Sequence, residues 1–460
     1  MKPLNSLAML LLALGTCCIA PLHAATADRY TPQQLRADID ALQAGIAATH
    51  PQPSHSVDPT QLQLALDGLR RRIGGDLDRD GAWREFATLN PLLADGHLFV
   101  GYSNWRDETA RHLQAGGTLF PFEVAVDIDG TVRIAADLGG SPSALAGRRI
   151  ESINGLPTTA VAKELLAHVH GDSPRFRAAL LSKRWWFFYW KVYGAKAAFD
   201  LVLQEPSATR LRRAASTAQP AILEGEEIFD RQFSIELLPD NAAVMTVSTF
   251  AWPEQNEFFD FTRRAFEQMK AAGTRTLLID VRDNGGGNDA MWLQGLLPYF
   301  ADKPYRWASH YTKKVVRPDD SKGERLGDVL SGTVDSWEQP QPDNLLRFRG
   351  RIYVLIGAAT YSSAVLFANT MQDFGFAVIA GEGASVRSTQ SGGVQEIELP
   401  NTGLALWSPR FVLTRPSGRK EPEWLTPDLP IEDDPLKSQT MVDAVLEAEA
   451  AKQRAKQKTI

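Results

Sequence analysis

The stretch Gly357-Ala-Ala-Thr-Tyr-Ser-Ser-Ala-Val-Leu-Phe-Ala368 holds the residues of this sequence best placed for nucleophilic chemistry. Before it, Ile352-Tyr-Val-Leu-Ile356 is short, β-branched and bounded by glycine, which predicts a fully buried strand. Beyond it, Ala364 to Phe374 gathers its apolar residues on one helical face, and Gly375 stands where a C′ glycine ends a helix. Ser362 or Ser363 would then sit between a buried strand and a helix start. A hydroxyl there lies near free backbone N–H groups and the positive end of a helix dipole. That setting suits a nucleophile whose attack creates an oxyanion. An ordinary helix N-cap has the same pattern, so the segment alone leaves both readings open.

Two more segments bear on the choice. Asp280-Val-Arg-Asp-Asn-Gly-Gly-Gly287 ends the apolar run that begins at Thr276. Three glycines at a strand end let the backbone approach a ligand and present N–H groups, although a tight turn uses them equally well. The spacing is neither Gly-x-Gly-x-x-Gly nor a phosphate loop, so no nucleotide is expected. In Leu92-Leu-Ala-Asp-Gly-His-Leu-Phe-Val100, Asp95-Gly96 signals a turn and Leu98 starts a strand, which puts His97 at a turn-to-strand junction. Of the eight histidines, His97 has the best context for a base. No His-x-x-x-His pair occurs, so neither a metal nor another cofactor is expected.

The elements that must position these residues form a long chain. At 460 residues there is room for two or three domains. A hydrophobic content of 44% and a charged content of 23% are those of a globular protein. A net charge of -6 argues against nucleic acid as a partner. Residues 1–24 read as an export signal, with Lys2, the apolar run Leu7–Leu14 and a small-residue cut after Ala24. Cys17 could alternatively serve as a lipid anchor. The apolar run is too short for a membrane span. Both cysteines, Cys17 and Cys18, fall inside this leader, so the mature chain would have no thiol chemistry and would be periplasmic or secreted.

Residues 28–110 predict a helical region. Thr31-Pro-Gln-Gln is a helix start, Leu35, Ile39, Leu42 and Ile46 form a core stripe, and further helices follow at Leu62–Leu69 and Trp83–Leu93. Residues 115–205 open with two alternating strands joined at Asp129-Gly130. Within them, Gly147-x-x-Ile-x-x-Ile-Asn-Gly155 resembles the strand that precedes the main helix of PDZ domains. The aromatic run Trp185–Trp190 either lines an apolar substrate groove or packs domains together, the commoner use of aromatics. Residues 225–440 give a β–α–β order and hence an α/β layer, and 441–460 a final helix and tail.

Asp280-x-Arg-x-Asn-Gly-Gly-Gly287, Thr360-Tyr-Ser-Ser-Ala364, Gly381-Glu382 and Leu425-Thr-Pro-Asp428 occur in the order found in the C-terminal-processing peptidases. With Asp95-Gly-His97, the chain most resembles the tricorn-like and interphotoreceptor-retinoid-binding-protein-like branch of that serine peptidase family, over about residues 85 to 440. The resemblance implies an α/β fold, a ββα spiral related to Clp protease and crotonase, preceded by a PDZ-like domain. It implies a serine endopeptidase acting on polypeptides, with Ser362 as nucleophile and His97 as general base. Gly286 or Gly287 and the amide of Ser363 would form the oxyanion hole. Glu421, with Glu423 as the near alternative, would orient a polar group beside the histidine. Three positions depart from the family pattern. Arg387 stands where the Ser–Lys branch has its lysine, and an arginine cannot act as a base, which excludes that mechanism. Val365 replaces a glutamate, and Gly96 replaces the serine before the histidine, so the relay from Glu421 is weakened or runs differently. The family also has members that only bind peptides or apolar ligands, which is the alternative function.

Overall fold

Thr31 begins the first helix as its side chain predicts. Its hydroxyl accepts from Gln34 N while the Gln34 side chain accepts from Thr31 N, a complete capping box for the helix Pro32–Thr49. Leu35, Ile39, Leu42 and Ile46 are buried against Leu62, Leu66 and Leu69 of the helix Pro59–Arg72. The computed structural model describes residues 28–204 and 207–458, so the export signal, its cut after Ala24 and Cys17 lie outside the described residues. The third helix starts earlier than the sequence predicts, at Arg79, because Asp78 caps it by accepting from Gly81 N. It ends at Phe86 and gives way to shorter turns around Pro91, which lacks the N–H a continuous helix would use. Ala94, left-handed at φ 47°, then turns the chain toward Asp95.

The middle region is an antiparallel sheet. Phe122–Val126 and Val132–Asp137 pair through the predicted turn, where Gly130 has φ 83°. Arg149–Ile153, with the short Leu156–Pro157 paired beside it, Ala198–Gln204 and Thr209–Ala214 complete it, and the helices Thr158–Leu166 and Pro174–Tyr193 pack on it. Trp185, Trp186, Phe187, Phe188 and Tyr189 of the second helix are buried in one core with the N-terminal helices. The aromatic run therefore welds the helical region to the sheet.

The third region is built on six strands in the order Phe233–Leu238, Ala242–Val247, Thr276–Asp280, Arg351–Ile356, Val378–Gly381 and Leu429–Pro430. The first pair is antiparallel and the rest are parallel. Parallel strands need both faces covered. The helices Gln255–Ala271 and Ser363–Asp373 bury one face, and Met441, Val442 and Val445 of the helix Gln439–Lys458 cover the other. Residues 395–408 leave this layer. Gln395–Glu398 and Ala405–Ser408 pair with each other, and the second also pairs with Phe99–Gly101, the strand just after His97. Leu399, Leu404 and Leu406 join the N-terminal core. This exchange brings His97 to the carboxyl ends of the parallel strands. None of the helices among the described residues is long and apolar enough to cross a membrane.

Candidate active site

Ile356 ends a buried parallel strand and Ser363 opens the helix that returns along it. The six residues between carry the chain round so tightly that Ser362 adopts φ 54° and ψ -123°. A non-glycine residue in that conformation costs about 1–3 kcal/mol and persists where the surroundings enforce it. Here Thr360 accepts from Gly357 N and donates to Val281 O, while Tyr361 N donates to Asn284 O. Ser362 holds the N-cap position, yet its hydroxyl caps no helix N–H. It faces Nε2 of His97 at 3.0 Å.

The neighbouring hydroxyl is differently placed. Ser363 is 2% exposed, donates to Asp289 and accepts from the Trp292 indole N–H at 3.0 Å. Those bonds commit it to holding the glycine loop and the helix together.

His97 is fixed from both ends. Its Nδ1 lies 2.9 Å from Ser391 Oγ, and that hydroxyl is 2.8 Å from Asp95 Oδ1. Asp95 also accepts from His97 N at 2.7 Å, so the Asp-Gly turn and the imidazole are tied to one carboxylate. Burial pushes Asp95 upward, but His97, its N–H group, His55 and His50 outweigh this and leave Asp95 below the usual carboxylate range. It is therefore an acceptor only. The single hydrogen of Ser391 must go to it, so the Ser391 oxygen receives Nδ1–H of His97. Neutral His97 then carries its lone pair on Nε2, toward Ser362. Burial lowers the His97 pKa below its ordinary value, partly offset by Asp95, which keeps the ring neutral near pH 7.

The glycine run approaches the elbow as closely as backbone allows. A Cβ on Gly286 would lie 2.6 Å from Ser362 Cβ and 2.9 Å from Ser363 N. The N–H of Gly286 is given to Asn284 Oδ1 at 2.8 Å, so of the residues predicted for the oxyanion hole it is not the free donor. Gly287 and Ser363 are left for that role. Asp280 and Arg282 of the same motif pair at 2.6 Å, and Arg282 reaches Asp433 at 3.0 Å. They anchor the turn rather than enter the site.

Glu421 is the prediction the structure does not bear out. It is exposed and makes none of the hydrogen bonds to His97, because the Nδ1 position is filled by Ser391. Glu423 instead pairs with Arg387 at 3.3 Å, with its side chain 57% exposed. Arg387 itself donates to Ala94 O at 2.6 Å and stands 5.3 Å over the Trp424 ring. Gly96 explains the departure at its position. A Cβ there would sit 2.5 Å from Cζ of Tyr361 and 2.8 Å from its hydroxyl oxygen, so no serine fits. The hydroxyl beside His97 Nδ1 comes from Ser391 instead. Gly96→Ala is expected to destabilise the fold by about 1–3 kcal/mol, the usual range for overpacking; thermal melting checks it, and an unchanged melting temperature would mean that Tyr361 yields freely. Val365 is fully buried in the helix core, where a glutamate would lack a partner.

Sequence reasoning missed Ser391 and took Asp95 only as a turn residue. The available signal was an acid two residues before the best-placed histidine. Among the described residues, no group of three or more His, Cys, Asp or Glu is arranged to hold a metal.

None of the curated protein sequences matches this chain. Residues 241–431 match the profile of peptidase family S41. The structure of mature CPAF complexed with lactacystin is similar at 15% identity and TM-score 0.61, over 87% of this chain and 94% of that one. A CPAF mutant gives 14% identity and TM-score 0.64, over 87% and 93%. The photosystem II D1 C-terminal processing protease gives 14% and 0.45, over 87% and 93%. The CPAF structures share this α/β peptidase fold over 87% of the chain. On the match of residues 241–431, that part of the chain carries the profile of peptidase family S41, and the chain is a serine-type peptidase.

Proposed function

We propose that the chain is an exported endopeptidase that cleaves polypeptides by acyl transfer through Ser362. The observation that carries this reading is the unbroken line Asp95–Ser391–His97–Ser362, with distances of 2.8, 2.9 and 3.0 Å. In it, His97 Nε2 takes the proton of Ser362 as the serine oxygen attacks the peptide carbonyl. The imidazolium gains from Asp95 through Ser391. The N–H groups of Gly287 and Ser363 receive the oxyanion, aided by the start of the Ser363–Asp373 helix. His97 then protonates the leaving amine, and water, deprotonated by the same nitrogen, releases the acyl group.

The free hydroxyl of Ser362 and the occupied one of Ser363 favour the former as nucleophile. A fluorophosphonate probe tests this directly: it should label the protein at Ser362. Failure to label the wild-type protein would leave a binding protein on a peptidase fold. Glu421→Gln is expected to leave the labelling rate within about 0.5 kcal/mol of wild type, as for an exposed side chain without partners; a hundredfold loss would return Glu421 to the relay.

The middle sheet with its helix Thr158–Leu166 supports a PDZ-like role for residues 115–205 in receiving peptide. The apolar leader supports export across a membrane.

A further inference from the structure

Asp172 lies outside the proton-transfer line but touches every segment that forms it. It belongs to the middle region, just before the helix Pro174–Tyr193, and is 6% exposed. Its Oδ1 accepts from Gly96 N at 3.0 Å and from the Tyr361 hydroxyl at 2.9 Å. Its Oδ2 accepts from Arg387 N at 3.0 Å, with the Arg387 guanidinium 3.9 Å away. Gly96 adjoins His97, Tyr361 adjoins Ser362, and Arg387 opens the run that carries Gln390 and Ser391. Gln390 in turn accepts from Ser362 N at 3.1 Å and donates to Arg387 O. Next in the chain, Ser173 Oγ donates to Ser385 O at 2.7 Å.

Three donors converge on one carboxylate, and that works only while it is an anion, which accepts and never donates. A proton on Oδ2 would point an O–H at Arg387 N, which can only donate. A proton on Oδ1 would compete with the hydrogens of Gly96 N and Tyr361 already directed there, so the set of bonds must rearrange. Tyr361 would then be left with Asp95 Oδ1, a longer contact at 3.4 Å, and Gly96 N with the Tyr361 oxygen at 2.9 Å, which uncouples the turn and the elbow from the middle region.

Resting on the serine peptidase reading, we propose that Asp172 is a positioning residue: while ionised it lets the middle region hold the His97 turn, the Ser362 elbow and the Ser391 loop in register, and its protonation releases them and lowers turnover. The groups facing it come from every neighbouring element. Asp95 and His97 lie on the turn, Tyr361 on the elbow, Arg387 on the loop and Arg177 on its own helix. His50, His55 and Glu423 act on it at one remove, through Asp95 and Arg387. Burial and then the charge of Asp95 push the Asp172 carboxyl up to about 6, against the pull of the Arg387 and Gly96 N–H groups and the guanidinium. Loss of the anion would thus fall within reach of mildly acidic conditions.

The test uses the full chain and the pH dependence of fluorophosphonate inactivation. Asp172→Asn is neutral at every pH and sets an amide N–H2 among the donors. It is expected to lower the maximal inactivation rate about 100-fold, the cost of a misplacement near 1 Å, with the probe's half-saturating concentration little changed. Its acid limb should also move to lower pH, because only His97 then titrates there. Tyr361→Phe keeps the ring stacked on Phe176 and removes one donor; it should give a smaller loss in the same direction. Wild-type rates in Asp172→Asn, or a lowered rate with an unmoved acid limb, would overturn the proposal. If Asp172→Asn does not fold, as judged by thermal melting, Tyr361→Phe decides it, and an unchanged rate and limb would overturn it. Ser362→Ala is the control. Wild-type labelling no faster than in that variant would defeat the peptidase reading itself, whereas normal wild-type labelling with an unaffected Asp172→Asn would defeat the positioning role alone.

Discussion

Replacement of Ser362 by alanine is expected to abolish both cleavage of denatured polypeptides and labelling by fluorophosphonates, with a loss on the order of 10^6-fold in kcat. The size follows from what the residue does. Acyl transfer needs an oxygen at the point where the elbow, the imidazole and the glycine loop meet, and the neighbouring hydroxyl is committed elsewhere. Ser363 is held by Asp289 and Trp292 on the far side of the helix start. The variant should fold normally. The Ser362 side chain caps nothing, so its loss removes one hydrogen bond to a histidine that Ser391 still holds. Intact structure with no activity is the expected pair of results. Activity near wild type in Ser362→Ala would remove the assignment, and labelling mapped to Ser363 would transfer it. Because the two groups act as a unit, adding His97→Ala to Ser362→Ala should cost almost nothing more.

Asp95→Asn is expected to lower kcat between about 10^2-fold and 10^4-fold, the upper figure being that of a triad acid in direct contact with its histidine. Here the acid acts through a hydroxyl. An asparagine can present N–H2 to Ser391, which then turns its own hydrogen toward His97 Nδ1. That change would favour the tautomer with its hydrogen on Nε2, where it cannot accept the proton of Ser362. Ser391→Ala breaks the same line at its middle and leaves Nδ1 without its partner, with an expected loss of about 100-fold. The two variants differ in kind. The first misdirects the proton, while the second only loosens the ring, so the acid limb of the rate, which follows His97, should shift more in Asp95→Asn. In the wild type the limb should lie below pH 6.5, since burial lowers His97 and the base works only when neutral. Rates in Asp95→Asn within twofold of wild type, about 0.4 kcal/mol by the usual conversion, would show that His97 needs no acid behind it.

Much of this site is local in origin, and local features are what a sequence displays. The run Ile352–Ile356, the small residues after it and the apolar face of Ala364–Phe374 already require a strand, a tight turn and a helix, and Gly375 marks the end. Those features put a serine at the turn. The glycines at 285–287 follow the strand Thr276–Asp280 for the same reason, and Asp95-Gly96 presents His97 at the start of the strand Phe99–Gly101. Apolar periodicity and turn chemistry act over a few residues, so these pieces are legible one by one.

Which pieces meet is another matter. Ser391 is 294 residues from His97, and it arrives because the strand Gln390–Gly392 pairs with Phe411–Thr414 while Ala405–Ser408 pairs with Phe99–Gly101. No periodicity records such a crossing. The choice between Asp95 and Glu421 as the acid turned on burial. Asp95 is 1% exposed and faces the ring through Ser391, whereas Glu421 ends in solvent. The N–H of Gly286 was lost to Asn284, a side chain two residues away whose direction depends on the strand Ala242–Val247 behind it. By itself the sequence determined the turn that carries Ser362, the glycine loop, the place of His97 and the absence of a lysine at position 387. The tertiary structure alone decided which hydroxyl and which acid stand behind that histidine, because a buried polar side chain takes its direction from the few partners that folding leaves it out of water.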